Sequence, residues 1–278
     1  MPKTRAALIL FLTILVFLGL SALLVKRRGG QAALSGPSAP ARAAEAPSPA
    51  PAPPGPVPPA EALAAVIVDD FGNNLEPLRA LCSIGRPVTA AILPYAPLTR
   101  ESADLAAGCG VEIMLHLPLE SLVPKENSAG RISSGMGPEE VRARVLACID
   151  QVPGARGVNN HEGSRTTGDM VVMPEILAAL KERGLYFIDS LTAPGSIAFK
   201  TARRLGVPAA ERRVFLDGDP DEEAVRARLV ELFRAARARG RAVGIGHARR
   251  ETIAALARYL GLAADYGVTL VPASRLVE

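Results

Sequence analysis

The sequence lacks the glycine-rich fingerprints of the common nucleotide-binding folds. No G-x-G-x-x-G motif follows a candidate strand, and no G-x-x-x-x-G-K-[ST] loop occurs. We therefore expect no nucleotide cofactor. The chain also has no tryptophan, and aromatic residues make up only 4% of it. Few side chains are thus available for stacking on ring-shaped ligands.

A surplus of positive charge is missing from most of the chain, although the formal net charge is +4. Residues 1–60 hold six of the 32 basic residues and one of the 28 acidic residues. The remainder therefore has 26 basic against 27 acidic residues. No basic stripe interleaved with aromatic residues occurs there, so we expect no nucleic-acid partner.

Cysteine is scarce. Cys82, Cys109 and Cys148 show no C-x-x-C spacing, which argues against a zinc ribbon. Cys82 and Cys109 fall near the ends of two neighbouring predicted helices, and a disulfide between them in an oxidising compartment is one interpretation. We favour the other interpretation, in which the cysteines are buried free thiols.

Residues 1–28 contain the one long apolar run. Ala6 to Val25 is broken only by Thr13, Gly19 and Ser21, and basic residues flank both ends. About 20 apolar residues are enough to cross a bilayer as a helix. This length favours an uncleaved membrane anchor over a cleaved signal peptide, so the membrane is an expected partner.

Residues 29–61 form a Pro/Ala-rich segment. Ten prolines lie between Gly36 and Pro59, with scarcely any large apolar side chains. Such a composition predicts a disordered, extended linker. One globular domain is expected to follow it, over residues 62–278.

Short apolar runs alternate with amphipathic stretches through that domain. The candidate strands are Ala64–Val68, Val88–Ile92, Val111–Leu115, Ala155–Val158, Tyr186–Ile188, Ala210–Phe215, Ala242–Ile245 and Val268–Val271. Continuous apolar runs are typical of strands covered on both faces in a parallel sheet. The pattern predicts an α/β fold, an irregular (β/α) barrel of about seven parallel strands, with an open doubly wound sheet as the alternative.

Aspartate and histidine side chains occur where candidate strands end. The pair Asp69-Asp70 follows the first strand, Asp189 follows another, and the three histidines of the chain are His116, His161 and His247. Strand ends of a parallel barrel meet at one rim, where active sites lie. Singly, each residue also has a structural interpretation, such as a helix cap or a buried histidine bonded to a carbonyl. Jointly they favour a site, because no histidine lies elsewhere.

Two imidazoles and a carboxylate are a common ligand set for Zn²⁺ or a similar divalent ion. Such an ion lowers the pKa of a bound water and polarises a carbonyl group. A second carboxylate can then act as general base, and a histidine across the site as general acid. We expect one divalent metal ion as cofactor, with zinc preferred.

Six ordered motifs resemble those of the divergent polysaccharide deacetylases, distant relatives of the NodB-type carbohydrate esterases. They are V-I-V-D-D-F-G (66–72), A-I-L-P-Y-A-P (91–97), M-L-H-L-P-L-E (114–120), G-V-N-N-H-E-G-S (157–164), F-I-D-S (187–190) and I-G-H-A-R (245–249). The resemblance spans nearly the whole domain. It implies a deformed barrel of about seven strands and removal of N-acetyl groups from an amino-sugar polymer of the cell envelope. It also implies a domain outside the cytoplasm, anchored to the inner membrane or secreted to the periplasm.

Matched by motif, Asp69 resembles the general base, Asp70 a metal ligand and His247 the general acid. His161 resembles a metal-binding histidine, and His116 is taken as the second imidazole. The better-known deacetylases draw both histidines from one H-x-x-x-H motif, which is absent here, so the two imidazoles must come from different strands. Further candidates for orienting the ligands or the sugar hydroxyls are Asn159, Asn160, Glu120, Asp189 and Arg249.

Two other functions remain open at this point. One is a tethered envelope protein that keeps the deacetylase barrel and binds a glycan or a partner without turnover. The missing H-x-x-x-H pair favours it, while the full set of aspartates and histidines opposes it. The other is a metal-dependent phosphoesterase, which would need more carboxylates or a phosphate-binding loop.

Overall fold

The computed structural model describes residues 61–123 and 129–278. The predicted anchor over residues 1–28 and residues 29–60 of the predicted linker lie outside this range. No helix within it combines the length and the apolar character needed to cross a membrane.

Strands and helices alternate through the domain. The strands are β1 (Ala62–Phe71), β2 (Thr89–Ile92), β3 (Glu112–Leu119), β4 (Gly157–Glu162), β5 (Tyr186–Asp189), β6 (Ala209–Phe215), β7 (Arg241–His247) and β8 (Val268–Leu270). The α-helices are α1 (Glu76–Cys82), α2 (Thr99–Gly108), α3 (Pro138–Gln151), α4 (Val172–Glu182), α5 (Ala198–Leu205), α6 (Glu222–Arg239) and α7 (Arg250–Tyr259). Short 3₁₀ turns occur at Thr166–Gly168, Leu260–Tyr266 and Ala273–Arg275.

Seven parallel strands close into a ring. β1 to β7 pair in sequence order, and β1 pairs with both β7 and β2. β2 and β8 share one edge of β1. β2 pairs with Ile67–Phe71, and β8 pairs with the earlier segment Ala62–Ala64. The predicted barrel of about seven parallel strands is therefore confirmed, and the open doubly wound sheet is excluded for the described residues.

Side chains alternate between the barrel interior and the helix-covered face. Along β1, Ala65 and Ile67 belong to the interior cluster, while Val66 and Val68 pack against the helices. Met114 of β3 and Ile245 of β7 also point inward. Because the alternation has a period of two residues, Asp69, His116 and His247 continue the inward-facing rows towards the C-terminal rim.

A local irregularity in β1 breaks this alternation at the rim. Val68 pairs with Ala90 and Phe71 with Ile92, so β1 holds one residue more than β2 over this stretch. Asp70 takes the left-handed conformation, with φ of 71°. Such a bulge redirects a side chain, and it allows the consecutive carboxylates of Asp69 and Asp70 to approach the same imidazole.

The prediction that the cysteines are free thiols is wrong for one pair. Cys82 and Cys109 form a disulfide, with their Cα atoms 5.8 Å apart, whereas Cys148 is a buried free thiol. α1 ends at Cys82, and Cys109 is the residue that directly follows α2. The two helices flank β2 and end side by side, which brings the two sulfurs together.

This disulfide is expected to stabilise the domain. The residues are separated by 27 positions in the sequence, and closing a loop of that length contributes about 3–4 kcal/mol in the chain-entropy account. Cys82→Ser should therefore lower the free energy of unfolding by this order in a urea titration. Reducing agent should destabilise the wild-type domain to a similar extent and leave Cys82→Ser unchanged. Equal sensitivity of both proteins to the reducing agent would contradict the prediction.

Candidate metal centre

Three potential ligand atoms converge at the rim. His116 Nε2 lies 3.3 Å from Asp70 Oδ1, His161 Nδ1 lies 3.2 Å from the same oxygen, and the two nitrogens are 3.0 Å apart. The residues come from β3, β1 and β4. β3 and β4 are neighbours in the ring, and β2 lies between β1 and β3. The structure thus brings together the three residues predicted as metal ligands.

The spacing of these atoms fits a small divalent ion. Ligands about 2.0–2.1 Å from a tetrahedral zinc ion are about 3.3–3.4 Å from one another, close to the three separations above. Asp70 Oδ1 is buried and has no hydrogen-bond partner among the described residues. A buried oxygen without a partner costs free energy, and a cation held between the carboxylate and the imidazoles would satisfy it.

Asn159 fixes the state of His116. Its side-chain amide donates to Asp69 Oδ1 at 2.8 Å, so its oxygen faces His116 Nδ1, also at 2.8 Å. In the neutral imidazole the proton of His116 is therefore held on Nδ1, and Nε2 directs its lone pair at Asp70 and His161. All three residues in this chain of hydrogen bonds, Asp69, Asn159 and His116, are buried. This arrangement is a second layer of hydrogen bonds, of the kind that orients metal-binding histidines.

The charges around the site favour a cation. Burial alone would lower the pKa of His116, but the carboxylates of Asp69 and Asp70 raise it to about 9. Burial alone would raise the pKa of Asp70, but His116 and His161 hold it well below its usual range. In the protein without a metal ion, these groups therefore keep a proton at the point where the ligand atoms converge. Metal binding would release that proton.

Asp69 lies beside the ligands without belonging to them. Its Oδ2 is 3.7 Å from His116 Nε2, and burial raises the pKa of its carboxyl group. A raised pKa brings a carboxylate closer to the range in which a general base works best. Asp69 also pairs across the sheet with His247 of β7, so the two predicted proton-transfer residues lie on neighbouring strands.

Asp217 holds His247. The Asp217 carboxylate accepts from His247 Nδ1 at 3.0 Å and from the His247 backbone N–H at 2.7 Å. It also accepts from the Thr252 hydroxyl at 2.8 Å. With Nδ1 engaged, Nε2 of His247 is the nitrogen left for a ligand in the cavity. The hydrogen bond that His247 donates to Asp217 raises the pKa of His247.

The rim residues open on one cavity of about 500 Å³. It is lined by Asp69, Asp70, His116, Asn160, His161, Glu162, Ser190, Leu191, Thr192, Arg212, Phe215, Ile245, His247 and Arg249. A volume of this size suits a small-molecule ligand or a short part of a polymer. A smaller cavity of about 210 Å³ lies away from these residues, near Glu278, and it contains none of the predicted site residues.

A family model of the divergent polysaccharide deacetylases matches residues 66–277. The chain belongs to this family. The resemblance inferred from six short motifs is thereby confirmed over almost the whole barrel.

Relatives of this chain occur in Haemophilus influenzae and Escherichia coli. An "uncharacterized protein" of Haemophilus influenzae is 34% identical over 197 residues, which is 71% of this chain and 70% of that protein. The "uncharacterized protein YibQ" of Escherichia coli K12 is 31% identical over 215 residues, or 77% of this chain and 67% of that protein. A crystal structure of an uncharacterized protein from Agrobacterium tumefaciens C58 superposes with a TM-score of 0.74 at 24% identity, covering 80% of this chain and 92% of that one. That structure supports the fold alone.

Two residues predicted to orient ligands lie outside the cavity. Glu120 accepts from the Ser134 backbone N–H at 2.9 Å and faces Arg165 at 3.4 Å. Asp189 accepts from Leu191 N–H at 2.9 Å and from the Ser196 hydroxyl at 2.6 Å. The alternation along β5 explains Asp189, because Ile188 points into the barrel and its neighbour therefore points outward.

The other three orienting candidates are placed at or beside the site. Asn159 links Asp69 to His116, as described above. Asn160 lines the cavity and accepts from the Ser190 backbone N–H at 2.9 Å. Arg249 also lines the cavity, and its guanidinium donates to the Asp217 carbonyl at 3.0 Å.

Asp217 and Arg212 were not among the site residues predicted from the sequence. Asp217 lies two residues after β6 ends, at the kind of position that singled out Asp69, and the same rule applied to the sixth candidate strand would have found it. Arg212 lies within the candidate strand itself and carries no comparable signal. Only knowledge of which side chains of β6 face the barrel interior would have indicated Arg212 as a site residue.

Asn159 provides a test of the metal centre. Asn159→Leu keeps the approximate volume but removes the hydrogen bond to His116 Nδ1, so metal affinity should fall by about 10–100-fold, measured by competition with a coloured chelator. Asn160→Leu is the matched control, since Asn160 is buried in the same strand and bonds to backbone groups instead. Equal losses in the two variants would mean that the effect comes from damage to β4.

Asp217 provides a second test. Asp217→Asn removes the negative charge that favours imidazolium, so the pKa of His247 should fall. His247 would then lose its proton at a lower pH than in the wild type. The measurement is an NMR titration of the His247 ring in the wild type and in Asp217→Asn. An unchanged His247 midpoint would show that Asp217 does not control its protonation.

Proposed function

We propose that this protein is a metal-dependent hydrolase that removes N-acetyl groups from an amino-sugar polymer of the cell envelope. The observation that carries the proposal is the convergence of Asp70, His116 and His161, with Asp69 and His247 lining the same cavity. Family membership supports deacetylation as the reaction. The ligand set of two nitrogens and one oxygen supports zinc as the metal.

Each protein group in the site has a role in amide hydrolysis. A divalent ion held by Asp70, His116 and His161 would polarise the acetamide carbonyl and favour ionisation of a water molecule. Asp69 takes the proton from the attacking water. His247, kept protonated by Asp217, gives its proton to the sugar nitrogen as the C–N bond breaks, so that acetate and a free amine leave. Asn159 holds Asp69 and His116 in the orientations that these steps require.

An oxidising compartment is supported by the disulfide. Structural disulfides persist outside the cytoplasm and are rare inside it, and Cys82–Cys109 forms such a bond. We propose that residues 1–28 anchor the chain in the inner membrane and that the barrel acts in the periplasm. The Pro/Ala-rich segment would then carry the barrel towards its glycan.

Asp69→Asn tests the assigned base. The variant keeps an oxygen for the Asn159 amide but cannot accept a proton, so acetate release should fall by about 10²–10⁴-fold. Metal content by elemental analysis should stay close to one ion per chain. The substrates are N-acetylated chito-oligosaccharides and peptidoglycan fragments.

Asp70→Asn is the matched control for this experiment. It alters the neighbouring carboxylate and should lose the metal together with activity. Loss of metal in Asp69→Asn would mean that the base is wrongly assigned. A wild-type protein that binds metal and releases no acetate from any of the substrates would favour the tethered, non-catalytic function.

A further inference from the structure

Acidic and basic side chains line different sides of the cavity. Its metal-binding side is built from β1, β3 and β4, and Glu162 lines the cavity on that side. Its opposite side, formed by β6 and the end of β7, contributes Arg212, Phe215 and Arg249. Around the ring, β5 lies between β4 and β6, whereas β7 pairs directly with β1, so the two sides meet where Asp69 pairs with His247. The second side has cationic groups to which the deacetylation chemistry assigns no role.

Arg212 is fixed in place before any ligand arrives. Its Nε donates to the Ser190 carbonyl at 2.6 Å, and its Nη2 donates to the Leu191 carbonyl at 2.9 Å. Leu191 has a φ of 47°, in the left-handed region, and such a conformation persists only where its surroundings hold it. The Arg212 guanidinium therefore has a defined plane and position.

Phe215 completes this side of the cavity. One extra residue in β6 lies between Arg212 and Val214 opposite β7, which brings Arg212 and Phe215 to the same face. The guanidinium carbon lies 5.1 Å from the centre of the Phe215 ring. The ring is 39% exposed and meets His247 edge-on at 5.6 Å. The cationic group and an exposed aromatic surface are thus adjacent to the predicted general acid.

The charge of Arg212 has no direct ion-pair partner. Both bonded acceptors are carbonyl oxygens, and within residues 61–123 and 129–278 no carboxylate makes an ion pair with it. The side chain is half-buried. Burial lowers the pKa of Arg212, and the carboxylates of Asp189 and Asp69 offset part of this effect from beyond ion-pair distance. Partly buried charges in proteins are normally paired, and guanidinium groups match carboxylates in shape and in hydrogen-bonding pattern.

We propose that Arg212, together with Phe215, binds a carboxylate carried by the sugar substrate, so that the enzyme prefers acidic N-acetylated glycans to neutral ones. This inference rests on the proposed deacetylase function and adds the substrate class. The size of the cavity places the carboxylate on the sugar that bears the acetamide or on its direct neighbour. The Phe215 ring packs against the apolar face of the sugar ring.

The test compares two ligands that differ only in charge. One is a glycan fragment whose N-acetylated sugars carry a lactyl carboxylate, and the other is the same fragment with that carboxylate converted to a neutral amide. Binding to the zinc-loaded wild-type protein is measured by calorimetry, and acetate release is measured separately. The wild type should bind the acidic fragment about tenfold or more tightly. The preference should shrink as salt increases.

Arg212→Gln should remove this preference by weakening only the binding of the acidic fragment. Arg213→Gln is the matched control, because it removes the same charge from an exposed neighbouring residue, and it should keep the preference. Arg212→Lys retains a positive charge and should keep a part of it, which serves as the second variant if Arg212→Gln does not fold. Equal weakening of both fragments in Arg212→Gln would assign Arg212 to supporting the Leu191 turn and would overturn the inference.

The two proposals fail differently. Acetate release from both fragments without a preference for the acidic one would overturn the carboxylate subsite and leave the deacetylase function standing. Preferential binding of the acidic fragment without any acetate release would support the subsite and contradict the proposed hydrolysis.

Discussion

The one additional residue in β1 is the constraint on which the site depends. In a regular strand, consecutive side chains point to opposite faces, so Asp69 and Asp70 could not both approach His116. The bulge and the left-handed Asp70 place one carboxylate oxygen 3.7 Å and the other 3.3 Å from the same imidazole nitrogen. In the proposed mechanism, one of these carboxylates holds a cation while its neighbour accepts a proton. Both proposed roles therefore depend on a single irregularity in the backbone.

The two imidazoles of the proposed metal centre have a different origin from the H-x-x-x-H pair of better-known deacetylases. Two histidines on one loop share a local backbone, whereas His116 and His161 belong to β3 and β4. The barrel itself brings them together, through parallel pairing that aligns His116 with Asn159 and Pro118 with His161. Asn159 then supplies the orientation that a shared loop would otherwise provide. The fold and the ligand geometry are therefore more closely coupled here than in a single-loop motif.

Much of the fold and part of the site could be predicted from the sequence, for reasons that particular residues illustrate. Continuous apolar runs indicated the parallel strands, and the position of Asp and His at strand ends indicated a common rim. The bulge was not predictable, because residues 62–68 of β1 are all apolar, and a strand without polar–apolar alternation gives no sign of an inserted residue. Asp189 was assigned to the site because it ends a strand. Side chains alternate along β5, however, and the position of Asp189 points away from the barrel interior. The Cys82–Cys109 pair depends on the lateral distance between two helix ends, which local patterns do not contain.

The closure of the ring has a consequence for how the chain folds. β1 pairs with β7 through contacts such as Leu63 with Arg241, so one edge of the first strand has no partner until most of the domain has been made. An apolar strand with a free edge is prone to pair with other chains, and contacts so distant in sequence form slowly. A partly synthesised barrel would expose this edge together with Asp69 and Asp70. The ordering of the candidate metal ligands is thus tied to completion of the domain, and shortened chains are expected to aggregate.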